Sequence, residues 1–395
     1  MNRRKWLLLA IIALFITLAC LPAGAESPKT SLRQVSAYQG AKLYKAGKFN
    51  VLVLKGNYRQ MGRQYGRLMK KDLGDMYNLA IEGKFINDQH FTYEMLKRIT
   101  ADFYQNYPAR IQAIVEGMAE TSGLEKEKLV MLAQVVTLVG YTKTGIHCSA
   151  IAAWADYTAG GPLVFGRNFD YPLYFKEFAR FMTVVVYNPD DGSVPVAQIG
   201  YAGQMDTLTA MNRAGIFTEI NDGAVSGGYD LMNNKLAITI MPFTFLLDSS
   251  TIEQLDSAIR TTKADYAILY NVADKTAAYS YEWSVNDVHR RDGDDKGLLV
   301  ATNHFVDPAW KSPEPEGDPY DTIARRKNLL ALGRMYKGRF NAQAMMEILD
   351  IPYDKGGVTR DWAIYQVVAM PQGLDFWLKA PGYQDWTHIE LGKLF

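Results

Sequence analysis

From residue 149 onward the chain is written as short apolar runs joined by tight turns, a pattern that antiparallel pairing of neighbouring strands satisfies. Ser149 to Tyr157 and Leu163 to Arg167 flank Ala159-Gly160-Gly161-Pro162, and Phe181 to Tyr187 and Val194 to Ile199 flank Asn188-Pro189-Asp190-Asp191-Gly192. Thr207 to Met211 and Ile216 to Ile220 meet through Asn212-Arg213-Ala214-Gly215, and further strands fit Ala267 to Tyr270, Ala277 to Trp283 and Leu298 to Thr302. Helical periodicity interrupts them at Phe243 to Thr261, Thr322 to Tyr336 and Ala342 to Leu349, before a last hairpin of Trp362 to Met370 with Leu374 to Leu378. Antiparallel strands with helices grouped between strand blocks predict an α+β layered fold.

Residues 26 to 147 read differently. A short strand, Phe49 to Leu54, leads into a run from Gly56 to Leu73 in which Gly62 and Gly66 are four apart, a spacing that puts both on one helical face and permits close backbone packing. Helical periodicity continues through Tyr93 to Tyr104, Ile111 to Thr121 and Lys126 to Val139, so this segment is expected to be α-rich. The Pro-rich piece Ser312 to Pro319 reads as a surface loop.

The first residues predict export from the cytoplasm. Arg3, Arg4 and Lys5 precede an apolar run from Trp6 to Leu21 and the small-residue site Ala23-Gly24-Ala25, the three parts of a secretory signal peptide over residues 1–25. Export to the periplasm or the medium is the expectation; Cys20 after Thr17-Leu18-Ala19 offers a lipid anchor as the alternative, disfavoured because Thr17 stands where a bacterial lipobox has an aliphatic residue. Membrane association is expected only through that leader or anchor. Lys plus Arg number 43 against 42 Asp plus Glu, so no global field draws the protein to nucleic acid.

The cysteines narrow the chemistry further. Only Cys20 and Cys148 exist, so loss of the leader leaves one thiol with no internal partner. An unpaired thiol in an oxidising compartment is a liability unless it is buried or used. Cys148 opens a strand and is followed, after a turn, by Gly166-Arg167-Asn168-Phe169-Asp170, which a hairpin would return to the sulfur. Asn221 and Asn303 stand at the ends of two further strands, where polar amides near a thiol are candidate oxyanion donors. No His/Cys/carboxylate cluster has metal-ligand spacing, and neither metal nor cofactor is expected.

Together these features resemble the penicillin acyltransferase and choloylglycine hydrolase group of N-terminal-nucleophile (Ntn) hydrolases. The resemblance rests on Gly56 to Gly66, Cys148-Ser149, Gly166-Arg167-Asn168-Phe169-Asp170, Asn221, Thr302-Asn303-His304-Phe305, Thr322 to Arg325 and Ile364-Tyr365-Gln366-Val367-Val368, in that order. It implies a four-layer αββα sandwich, with residues 148–395 as the catalytic core and 26–147 as a propeptide or small subunit. It also implies a precursor that cuts itself between His147 and Cys148 and leaves two associated chains. Cys148 would be the nucleophile, Asp170 would orient its new α-amino group and Arg167 would lie beside the sulfur. Asn303 with Asn221 would form the oxyanion hole and Arg325 would support the site, with Arg326 as its competitor.

Elementary acid–base chemistry agrees with that scheme. A free α-amine titrates near 7.7 to 8.0, so at neutral pH a useful fraction acts as base without any histidine. A thiol near a guanidinium and an amine is expected to gain thiolate character. The expected reaction is hydrolysis of a linear, non-peptide amide of a small molecule through an acyl-thioester. The alternatives are acyl transfer of the penicillin acyltransferase type, and an uncleaved exported binding or envelope protein in which Cys148 is merely buried.

Overall fold

The computed structural model describes residues 31–142, 147–230, 236–311 and 314–395; the leader, Cys20 and part of the 312–319 loop lie outside them. Its strands form two sheets. The first nine are β1 (Arg33–Tyr38), β2 (Ala41–Ala46), β3 (Phe49–Gly56), β4 (His147–Ala153), β5 (Val164–Asp170), β6 (Met182–Pro189), β7 (Val196–Tyr201), β8 (Thr209–Asn212) and β9 (Phe217–Asp222). The remainder are β10 (Ile268–Ala273), β11 (Ala278–Trp283), β12 (Val288–Arg291), β13 (Leu298–Ala301), β14 (Ala363–Met370), β15 (Asp375–Ala380) and β16 (Gln384–Glu390).

The larger sheet runs β1-β2-β3-β6-β7-β8-β9-β10-β11-β12 and the smaller β13-β4-β5-β14-β15-β16. Every pairing is antiparallel except β3 with β6. The helices lie outside the sheets. On the larger sheet pack α1 (Tyr58–Leu68), α2 (Lys70–Met76), α3 (Tyr93–Tyr104), α4 (Ala109–Ser122), α5 (Lys126–Ala133), α6 (Met241–Asp248) and α7 (Ile252–Thr261), directly or through one another. On the smaller pack α8 (Thr322–Met335) and α9 (Ala342–Asp350). The architecture is the four-layer αββα sandwich.

Period-two alternation explains why two cores form. On β4, Cys148, Ala150 and Ala152 face the space between the sheets, while Ile151 and Ala153 join Val164, Leu298, Leu329, Met345 and Leu349 under α8 and α9. The sheet-to-sheet layer includes Phe217 packed between Phe165 (ring centroids 4.8 Å) and Phe376 (6.0 Å).

The predicted hairpins are present, with sharper limits. β4 ends at Ala153 and Ala155–Thr158 turns into a 3-10 helix, so the strand expected to reach Tyr157 is shorter. The helix expected over 243–261 is two, because Thr251 caps a new start, its hydroxyl accepting the Gln254 N–H. The 26–147 segment carries its helices but opens with β1 to β3, which pair into the larger sheet; the strands before residue 49 are an addition to the sequence reading. Gln39 (φ 47°) and Gly40 (φ 84°) form their two-residue hairpin turn, where left-handed backbone suits glycine.

Helices α1 and α4 cross almost backbone to backbone. A Cβ added at Gly62 would stand 2.1 Å from the Ile114 carbonyl oxygen, and one at Gly66 would stand 2.5 Å from that of Met118. Gly74, in α2, has open space around the same position. Gly62→Ala should therefore destabilise by about 1–3 kcal/mol through overpacking, whereas Gly74→Ala should stabilise by about 0.4–1 kcal/mol through the unfolded chain. Denaturant midpoints of the two variants check this; equal effects would contradict the close crossing.

Candidate active site

The hairpin of β4 and β5 builds the centre of the site. Cys148 pairs with Phe169 and Ala150 with Arg167, so the Arg167 side chain lies diagonally across from the thiol on the face between the sheets. Its Nη2 is 3.7 Å from Cys148 Sγ and donates to the Ile220 carbonyl at 2.9 Å. Nη1 donates to the Leu208 carbonyl and the Thr209 hydroxyl, and Nε lies 3.3 Å from Glu219 Oε2. Arg167 and Glu219 are both 0% exposed.

The backbone of Cys148 is held from the side. Its N–H donates to Asn303 Oδ1 at 3.0 Å, and its carbonyl accepts from Arg325 Nη1 at 2.7 Å. Arg325 Nη2 also donates to Asn303 Oδ1, at 2.7 Å. Arg325 is thus the one of the two adjacent arginines that reaches Cys148; Arg326 turns away to Asp294. Asn303 follows β13, whose Ala301 pairs with Ala150, so continuing that strand brings the amide opposite Cys148. Thr322, at the start of α8, fixes it by accepting the Asn303 N–H at 2.8 Å.

Asp170 stands opposite His147 in the register. It is fully buried, and neither carboxylate oxygen has a hydrogen-bond partner. Burial raises its pKa from 3.8 to about 7, against the pull of Arg325, Arg167 and Arg360. Glu219 is likewise pushed up to about 7 by burial, opposed by Arg167 and by Asn271, which donates to it. Arg167 stays charged: burial opposes its charge, but Tyr365, Glu219 and Cys148 together hold its pKa above the ordinary value.

Two expectations are modified. The thiol is no thiolate while the chain is continuous: burial pushes it up to about 12, and the opposing pull of Arg167 does not compensate. The amides are also not free donors. Asn303 Nδ2 donates to the Asp222 carbonyl at 2.9 Å, so it presents its acceptor oxygen to Cys148. Asn221 reaches only the Ala301 carbonyl, at 3.5 Å, and its buried Oδ1 is unpartnered. Six of the seven residues singled out in the sequence, His147 included, lie around one strand end, and Asn221 lies across the gap on β9.

Sequence reasoning passed over Glu219 and Asp222. The signal for Glu219 was present: Phe217, Glu219 and Asn221 alternate on the sheet-facing side of β9, as Phe165, Arg167 and Phe169 do on β5, and a lone charge on each apolar face marks a buried pair. A cavity of about 220 Å³ opens beside the site, lined by Tyr141, Tyr171, Asp222, Tyr229, Tyr266 and Tyr320 among others. Among the described residues no group of His, Cys, Asp and Glu is placed to hold a metal ion.

The stability of the continuous chain should carry the mark of Asp170. A carboxyl whose folded pKa is raised contributes stability that is complete below its unfolded value and lost as pH rises through the folded one. With 3.8 and about 7 as those values, a Cys148→Ala/Asp170→Asn chain should gain stability relative to Cys148→Ala as pH rises from about 4 to about 7. Denaturant midpoints across that range test it, and a difference independent of pH would contradict the burial of an unpartnered carboxyl.

Comparison with known proteins adds a family. The model described as acyl-coenzyme A:6-aminopenicillanic acid acyl-transferase matches residues 158–322, a stretch that holds Arg167, Asp170, Asn221 and Asn303 but stops short of Cys148 and Arg325. No curated protein matches the chain. Among solved structures, a Caenorhabditis elegans N-acylethanolamine-hydrolyzing acid amidase ortholog is 20% identical over 57% of this chain and 93% of its own, with a TM-score of 0.43. A variant of conjugated bile acid hydrolase from Clostridium perfringens is 12% identical over 62% and 93%, at 0.43. Penicillin V acylase from Agrobacterium tumefaciens is 10% identical over 62% and 87%, at 0.40. Residues 158–322, then, are similar to the acyl-coenzyme A:6-aminopenicillanic acid acyl-transferase family, one branch of the group the motifs resemble.

Proposed function

We propose that the protein is an exported, self-processing amidohydrolase that cleaves a linear, non-peptide amide through an acyl-thioester on Cys148. The observation that carries this reading is Asp170: a buried carboxylate with no partner, across from the residue before Cys148, lacks a donor that a newly freed Cys148 amine would supply.

Processing begins when Sγ attacks the His147 carbonyl carbon. The bond from that carbon to Cys148 N breaks, the thiol proton passes to the nitrogen, and water resolves the thioester to the His147 carboxylate and a free thiol. The new amine, near Asp170 and within reach of Sγ, titrates in the range where it can accept a proton. Turnover repeats the chemistry on an external amide: Sγ takes the acyl group, the amine product leaves with the proton, and water regenerates the thiol. Arg167 lowers the cost of thiolate character and Arg325 supports the carbonyl side. Conversion of the Cys148 amide to an amine releases its nitrogen from the peptide plane, so its N–H groups can turn from Asn303 Oδ1 toward Asp170, and the Asn303 amide can then reorient its Nδ2 toward an oxyanion. Transfer to an acceptor amine runs through the same thioester; export, where acyl-coenzyme A is scarce, favours water.

Intact mass under denaturing conditions tests the reading. The wild-type protein should give two fragments split between His147 and Cys148, and Cys148→Ala a single chain. One chain in both would favour a binding protein of the same fold.

A further inference from the structure

The residue before the proposed cut is not loosely held. The His147 ring lies 4.1 Å from the Tyr320 ring at 68° and 5.2 Å from the Trp362 ring at 33°, a slot with one edge-on wall and one tilted wall. Arg360 backs it, 5.0 Å over Trp362 and 3.5 Å over Tyr353, and is paired with Asp321. Burial, then Arg325 and Arg360, hold His147 down to about 4, so an uncharged ring occupies the slot. Its Nδ1 and the Trp362 indole N–H are buried without partners.

The wall that carries Tyr320 is under backbone strain. Asp318, Tyr320 and Asp321 all have left-handed φ, at 45°, 63° and 53°, though none is glycine. Such strain persists where surrounding structure enforces it. Here it delivers the Tyr320 ring to His147 and its carbonyl to Arg325 Nε, 3.1 Å away. Tyr320 is also 43% exposed and lines the 220 Å³ cavity, so the slot opens to where a substrate would enter.

The chemistry of the proposed function makes that slot more than a packing detail. In processing, the His147 acyl group passes from Cys148 N to Sγ, giving a thioester beside a free α-amine. In turnover, the substrate's acyl group sits on the same sulfur beside the same amine. The two intermediates differ only in the acyl group, and water hydrolyses both. In the first, the ring hangs from the carbon two bonds from the carbonyl.

We propose that the Tyr320–Trp362 slot holding the His147 ring is the acyl subsite of the mature enzyme, and that it selects amides of acids with an uncharged planar ring on the β-carbon, such as 3-arylpropanoyl amides. Tyr320 and Trp362 are specificity-determining residues. This inference rests on Cys148 being the acylated nucleophile.

The test uses purified wild-type protein, confirmed by mass to be cut, with 3-phenylpropanoyl, 3-cyclohexylpropanoyl and hexanoyl amides of 7-amino-4-methylcoumarin. The phenyl compound should exceed the other two in kcat/KM by about tenfold. Trp362→Leu should remove about that advantage, lowering kcat/KM for the phenyl compound more than for hexanoyl; Tyr320→Leu serves the same purpose if the first variant is not cut, and the wild-type ranking stands alone if neither is. Equal rates on the three amides, preference for hexanoyl, turnover of none by a cut enzyme, or equal loss on all in a cut variant would overturn the subsite. Absence of any cut in the wild type would instead overturn the proposed function on which it rests.

Discussion

A guanidinium with no access to solvent costs several kcal/mol unless its donors are all engaged, and Arg167 is in that position between two sheets. Nη1 and Nη2 donate to the carbonyls of Leu208 and Ile220 and to the Thr209 hydroxyl, while Nε makes no hydrogen bond and is ion-paired with the Glu219 carboxylate, all on β9 or at the start of β8 and just before it. The remaining direction is toward Cys148 Sγ. The charge that would activate the thiol is therefore also a polar tie between the smaller sheet and the larger. A shift of either sheet would leave a buried charge unpaired, so the requirement for a paired guanidinium and the placement of the sulfur are one constraint.

The second charged layer lies on the other side of β4. Asp170, Arg325 and Arg360 surround the His147–Cys148 linkage, with Asn303 held between Arg325 and the Cys148 N–H. In the continuous chain this arrangement is incomplete in a particular way: two cations surround a carboxylate that accepts no hydrogen bond, beside a thiol whose protonation is enforced by burial. A cut after His147 would change both groups at once, by adding an amine near the carboxylate and by opening the strand end to water. The proposed processing step is thus also the step that would turn a packed cysteine into a nucleophile.

Much of this was legible in the residues. Short apolar runs and turn chemistry located the hairpins of β4 to β9 and of β14 with β15, because each run is buried along almost its whole length and each turn carries glycine, proline or asparagine. Gly62 and Gly66 announced a close helix crossing, and α1 against α4 supplies it. Less legible were partners brought together from separate elements. Glu219 looks like one acid among 42 until β9 is laid over β5, and Tyr320 and Trp362 become walls of one slot only when the loop before α8 meets the strand entry of β14. The thiol's protonation was misread because neighbouring charge is visible in sequence while depth of burial is not. β1 and β2 are hard to read because β1, at the sheet edge, is exposed along its length and Lys42 and Lys45 interrupt β2, which dilutes the apolar signal.

If the acyl group passes through the Cys148 sulfur, acid-quenched peptide mapping by mass spectrometry during steady-state turnover of any amide the protein cleaves should find an acyl adduct on the peptide that begins at Cys148, with its α-amine free and the adduct released by neutral hydroxylamine. An adduct on another residue, or undiminished turnover in a Cys148→Ala protein, would contradict it.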